Sequence, residues 1–82
     1  MTQVTVHITC LGFLREAIGT DPIDVTCEPI ATAALHALRE RFDAIAALEG
    51  AVALATDARY LQGDDPIEEG MALVLVPPIS GG

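Results

Sequence analysis

Only one stretch of this chain has the spacing of an amphipathic helix long enough to cover a sheet. Ile30, Ala34, Leu35, Leu38 and Phe42 recur at helical intervals, with His36, Arg39, Glu40 and Arg41 between them. That pattern predicts a helix over Thr32 to Phe42, opened by Thr32 or Pro29. Most of the remaining chain alternates at period two or forms a short apolar run. Val4, Val6, Ile8 and Cys10 interleave with Thr5, His7 and Thr9, and Ile23, Val25 and Cys27 interleave with Asp24 and Thr26. These read as two half-buried strands, close in sequence and antiparallel. Val52 to Thr56 reads as a third strand, Tyr60-Leu61 as a short fourth, and Met71 to Val76 as the last. One helix must then cover one face of a four- to five-stranded sheet, because no other element is available to do so. The fold class is α+β, and a last strand lying beside the first makes the sheet mixed.

The connections follow from local chemistry. Leu11 to Ile18 reads as a short helical turn or loop, stopped by Gly19, and Thr20-Asp21-Pro22 as a turn. Asp43 to Glu49 is weakly helical, either extending the helix or forming a loop. Gly63-Asp64-Asp65-Pro66 and Ile67-Glu68-Glu69-Gly70 are turns. The last strand is apolar on both faces. With Leu73 and Leu75 turned to the helix, Val74 and Val76 face outward, which suits a central strand or one whose outer face meets a partner.

At 82 residues the chain is one domain. A domain of this size buries about 60% of the surface its unfolded chain exposes, enough for one core but not for a core plus a deep active site. Function is therefore expected on a surface or at a terminus. Apolar residues make up 51% of the chain, slightly more than so small a domain hides, pointing to a surface covered part of the time. The net charge of -8, with four Arg and no Lys, opposes binding to phosphate backbones and anionic lipid. Neither nucleic acid nor membrane is expected as a partner, whereas a basic protein is favoured in encounter. No apolar run reaches the ~20 residues of a membrane span, and Met1-Thr2-Gln3-Val4 does not open a signal peptide. A cytoplasmic location is the expectation.

The usual chemistry-bearing residues carry little. Cys10 and Cys27 fall on the apolar faces of their strands and read as buried structural thiols. His7 and His36 lie on polar faces with no ligand cluster beside them, so no metal site is expected. Asp64-Asp65 and Glu68-Glu69 read as turn and strand-cap residues. No nucleophile-elbow, Walker or Rossmann pattern is present.

The sequence after Val76 is more informative: Pro77-Pro78-Ile79-Ser80-Gly81-Gly82. Two prolines end the strand and hold the backbone extended. Six extended residues reach at most about 20 Å. Two terminal glycines without side chains fit a channel too narrow for other residues. The expected division is a domain over 1–76 and an extended, flexible tail over 77–82. A carboxylate at the tip is a poor electrophile until adenylation gives it a good leaving group, after which a sulfur donor converts it to a nucleophilic thiocarboxylate. That chemistry asks only reach, slimness and an open end of the carrier.

Three segments carry a family resemblance: Phe13-Leu14-Arg15-Glu16 followed by Gly19-Thr20-Asp21; Pro66-Ile67-Glu68-Glu69-Gly70; and Val76-Pro77-Pro78-Ile79-Ser80-Gly81-Gly82. The chain resembles the small subunits of molybdopterin synthase in the ubiquitin-like sulfur-carrier (MoaD/ThiS) family. The resemblance implies a β-grasp fold. It implies that an E1-like adenylyltransferase of the MoeB type uses ATP to adenylate Gly82, and that a sulfurtransferase or cysteine desulfurase system supplies sulfur. It implies that the large synthase subunit receives Gly81 and Gly82 in its own active site, where the thiocarboxylate donates sulfur to precursor Z to build the molybdopterin dithiolene. The assembly would be a heterotetramer. No permanently bound cofactor is implied, and this subunit is the sulfur donor rather than the catalyst. Partner contacts are implied at Val74, Val76, Pro77, Pro78, Ile79 and Ser80. Arg15 is either a surface ion pair or a partner contact. Met71 stands where the family often has an acidic residue, and Thr56-Asp57 where it commonly has Asn. Two alternatives stand beside this reading: a carrier for thiamin or cysteine synthesis, and a ubiquitin-like protein modifier. The Leu11–Ile18 insert and the Pro-Pro-Ile-Ser tail favour the first reading over a thiamin carrier.

Overall fold

The computed structural model describes residues 2–19, 22–48 and 51–77. Among these residues seven elements follow one another: β1 (Val4–Cys10), α1 (Phe13–Ile18), β2 (Ile23–Cys27), α2 (Ala31–Arg41), α3 (Asp43–Ala46), β3 (Ala53–Ala55) and β4 (Ala72–Val76). The sheet order is β2-β1-β4-β3. β1 and β2 form an antiparallel pair, with Val4 opposite Cys27 and Ile8 opposite Ile23. β1 and β4 run parallel, with His7 opposite Ala72 and Cys10 opposite Leu75. β3 returns antiparallel along β4, with Ala53 opposite Val76. The two strands most distant in sequence thus lie side by side at the centre, and the sheet is mixed as expected.

Period-two alternation sorts the strands by face. Val4, Val6, Ile8 and Cys10 from β1, Ile23, Val25 and Cys27 from β2, Leu54 from β3, and Leu73 and Leu75 from β4 are all buried. They meet Ala31, Ala34 and Leu38 of α2, Leu14 of α1 and Ile45 of α3. Each large aliphatic side chain so buried contributes about 1.5–3 kcal/mol. Both cysteines lie in this core and neither is in a disulfide.

Helix α2 starts and ends one residue earlier than its apolar spacing predicts, and neither Thr32 nor Pro29 caps it. Ile30 occupies the cap position with an extended backbone and no side-chain cap. The first two N–H groups of the helix are satisfied from a distant turn, and the third by the cap residue itself. Ala31 N–H donates to Asp65 O (2.9 Å), Thr32 N–H to Gly63 O (3.0 Å), and Ala33 N–H to Ile30 O (3.1 Å). The Thr32 hydroxyl also donates to Gly63 O. A distant turn therefore does what a Ser or Asp cap ordinarily does. At the other end Phe42 turns extended (φ -130, ψ 115), so the weakly helical segment after it is a separate short helix, α3.

The expected short strand at Tyr60-Leu61 is reduced to a bridge between Ala55 and Tyr60 and one hydrogen bond, Leu61 N–H to Leu54 O (2.8 Å). Local polar chemistry overrides it on both sides. Thr56 Oγ1 accepts from Ala58 N–H (3.1 Å) and Arg59 N–H (3.2 Å), closing a tight turn. The Asp65 carboxylate accepts from Gln62 N–H (2.8 Å) and from Arg59 Nη1 (3.0 Å), drawing the chain away after Leu61. The sheet therefore has four strands.

Candidate docking face and tail

The face of the sheet opposite α2 divides into two halves. Over β1 and β2 it is polar, and two cross-strand pairs satisfy one another. The Thr5 and Thr26 hydroxyls share a hydrogen bond at 2.8 Å, and His7 Nδ1 donates to Asp24 Oδ1 at 2.6 Å. Both are directly opposed cross-strand pairs. Over β4 and β3 the same face carries Val74, Val76, Ala53 and Ala55, all half-buried. Val74 lies opposite Ala55, and Val76 opposite Ala53. The valines therefore face outward, as expected once the leucines turn to the helix.

Two residues that strand periodicity does not reach complete this apolar half. Leu11 continues the parallel pairing past the end of β1, its N–H donating to Leu75 O (3.1 Å). Tyr60 is set against Ala55 by the bridge. Leu11, Ala55, Tyr60, Val74 and Val76 line one shallow depression. A second, lined by Thr9, Asp57, Met71 and Val74, adjoins it. Leu11 is 45% exposed, Tyr60 57% and Phe13 52%, making these the large hydrophobic side chains most open to solvent among the described residues. Exposed apolar surface gathered on one face makes this the candidate docking face. Chain neighbours hint at Leu11, but Tyr60 arrives only through the turn that Thr56 and Asp65 build.

The patch sits where the tail begins. Pro77 is half-buried, and a Cβ on Gly12 would lie 3.3 Å from its Cγ. Gly12 also holds φ at +60, so its conformation favours glycine, and a side chain there would crowd Pro77. The turn after β1 thereby fits against the base of the tail. Pro78, Ile79, Ser80, Gly81 and Gly82 lie outside the described residues.

Electrostatics around the patch are acidic. Arg59 is engaged with Asp65, which leaves Asp57 exposed on the rim. Hydrogen bonds from the Gln62 N–H and from Arg59 hold the Asp65 carboxyl below the usual carboxylate range. Elsewhere the acidic pairs serve the fold. Glu69 Oε1 accepts from Thr5 N–H (2.9 Å), and Gly70 N–H donates to Thr5 O (2.8 Å), so this turn continues the edge of β1 before β4 begins. His36 is exposed, 3.7 Å from Glu40 one helical turn on. Among the described residues no group of three or more His, Cys, Asp or Glu is placed to hold a metal ion, and no helix is long and apolar enough to cross a membrane.

Residues 8–82 match the model of the ThiS family. The chain belongs to the ThiS family. Among curated proteins none matches. Of the solved structures, small archaeal modifier protein 1 from Methanosarcina acetivorans superposes with a TM-score of 0.80 at 19% identity, covering 100% of each chain. The HVO 2177 protein of Haloferax volcanii superposes with a TM-score of 0.78 at 19% identity, covering 98% of this chain and 88% of its own. At that identity the likeness is one of fold: a four-stranded mixed sheet packed on one main helix, the ubiquitin-like β-grasp. As a ThiS-family member the chain is of the ubiquitin-like sulfur-carrier kind, whose members generally work with E1-like activating enzymes and partner enzymes.

Proposed function

We propose that this protein is a sulfur carrier and acts as the small subunit of molybdopterin synthase. The observation that carries the reading is the continuity of β4 with Pro77-Pro78-Ile79-Ser80-Gly81-Gly82: a central strand of a ThiS-family domain, apolar on its outer face, leads straight into a slim Gly-Gly tail. The apolar half of the sheet, with Val74 and Val76, docks on the large subunit. Pro77, Pro78, Ile79 and Ser80 then guide Gly81 and Gly82 into that subunit's active site. Before this, an E1-like enzyme adenylates the Gly82 carboxylate with ATP and a sulfurtransferase system supplies sulfur, leaving a thiocarboxylate. The thiocarboxylate attacks precursor Z and contributes one dithiolene sulfur. This division of labour needs no metal and no resident cofactor on the carrier, and it belongs in the cytoplasm. The acidic charge favours encounter with basic partner surfaces.

Intact mass after incubation with ATP, an E1-like adenylyltransferase and a sulfur source tests the carrier role. Exchange of one oxygen for sulfur is expected, and the loaded protein should form molybdopterin when mixed with a large synthase subunit and precursor Z. Deleting Gly82 is expected to leave the fold intact and reduce sulfur transfer to background. Undiminished transfer by the deletion, or a native chain running past residue 82, refutes the role given to the tail. Sulfur delivered only to a thiazole-forming enzyme would make it a thiamin carrier. Adducts on other proteins would make it a modifier.

A further inference from the structure

A carboxylate activated as an acyl-adenylate is attacked by any amine or thiolate that reaches it, including those of its own protein. The four cationic side chains, Arg15, Arg39, Arg41 and Arg59, are all guanidinium groups, and the 82 residues contain no lysine. A guanidinium stays protonated in the working pH range and offers no lone pair for acyl transfer. A lysine of ordinary pKa is about 0.4% free amine at pH 8, and that fraction is a competent nucleophile. The thiols are withheld differently. Cys10 is fully buried and Cys27 is 6% exposed, both on the inner face of the sheet. Burial, helped by the charge of Glu28, raises the Cys27 thiol above its ordinary pKa and suppresses its thiolate.

The tail leaves from the place where a nucleophile would matter most. A stretch of six residues can span at most about 20 Å beyond the end of β4. The side chains around that origin are Leu11, Ala55, Ala58, Tyr60, Val74 and Val76, with Thr56, Asp57 and Arg59 beside them; none is an amine or a thiol, and the Thr56 hydroxyl is engaged within its own turn. His7 lies opposite Ala72 at the far end of β4, about 13 Å of strand from Val76, with Nδ1 engaged by Asp24. His36 is on α2, which packs on the opposite face. Acyl groups on imidazole or phenol are labile and leave no permanent adduct.

We propose that the surface of this protein is chemically silent towards its own activated C-terminus, so that the sulfur offered by a partner is the acceptor that captures it. The inference rests on Gly82 being the activated group, but its test requires no activating enzyme. The step it forbids is simple. A lysine amine attacks the activated Gly82 carbonyl, the bond to the leaving group breaks, an amide forms, and the amine proton goes to solvent.

The full chain carrying a Gly82 2-mercaptoethanesulfonate thioester, made by intein cleavage, is incubated at pH 8 and followed by intact mass. Wild type is compared with Ala58→Lys and Gln62→Lys, both at exposed loop positions, and with Ala58→Arg, which adds the same charge without the nucleophile. Circular dichroism checks that each variant is folded. Any α-amine is common to all four and cancels. Wild type and Ala58→Arg are expected to hydrolyse to the acid. At least one lysine variant is expected to lose thioester on the order of tenfold faster, because intramolecular attack has a high effective concentration. Its product should be one water lighter than the acid and stable to hydroxylamine. The inference is overturned if wild type forms amide as fast as the lysine variants, or if both folded lysine variants behave like Ala58→Arg. Failure of the carrier role appears separately, as absence of the thiocarboxylate mass with the activating enzyme.

Discussion

The two halves of the outer sheet face have the same backbone and opposite chemistry. Over β1 and β2, threonine meets threonine and histidine meets aspartate, so these polar side chains find their partners within the protein. Over β4 and β3, valines meet alanines, with Leu11 and Tyr60 at the margin and, among the described residues, no further layer above them. The polar half is complete in water. The apolar half keeps hydrocarbon exposed, and that is the half from which the tail departs. Where a small domain leaves apolar surface exposed therefore indicates more about its use than how much of it there is.

Substitutions along β4 test this contrast most sharply, because adjacent residues belong to different environments. Leu75→Ala, on the helix-facing side, should cost about 2–5 kcal/mol in urea denaturation, a large share of a small domain's stability. Its neighbour Val76→Asp should cost at most about 1 kcal/mol, yet weaken large-subunit binding at least about tenfold by calorimetry. A large stability loss with normal binding for Val76→Asp would mean that the faces are misassigned. In the polar half, Thr26→Val should shift stability by no more than about 0.5 kcal/mol and leave partner affinity unchanged. A binding defect there would erase the distinction between the halves. Asp65 offers the mildest test, since its loop holds Arg59 beside Tyr60. Its carboxyl titrates below the ordinary value in the folded protein, so its contribution is present at neutral pH and fades as pH falls through that lowered value. Thermal melts of wild type and Asp65→Asn should differ by a constant amount near pH 7 and converge in acid, below about pH 4.

Much of the scaffold was legible because alternation is a local signal. Val4–Cys10 and Ile23–Cys27 are strands with the periods their residues display, and Leu73 and Leu75 point inward while Val74 and Val76 do not. Elements whose fate is decided by distant partners were harder to read. Helix α2 begins at Ala31 because the backbone of Gly63 and Asp65 receives its N–H groups, and no spacing near residue 31 announces that. Tyr60-Leu61 has strand-like residues but lies between two side-chain-driven turns, so most of its pairing is lost. Tyr60 joins the apolar half for the same reason. The tail was read from composition and order alone, and its chemistry stays a matter for the mass measurement.

The parallel contact of β1 with β4 ties together residues as far apart as His7 and Ala72. Contacts of such high sequence separation close late, after the entropy of the long intervening loop has been overcome. The apolar half is built on that long-range seam, with Leu11 from one side and Val74 and Val76 from the other. A chain caught half-folded or cut short has no such surface to offer. A partner that docks on this face would therefore meet it only on domains whose two central strands have already paired.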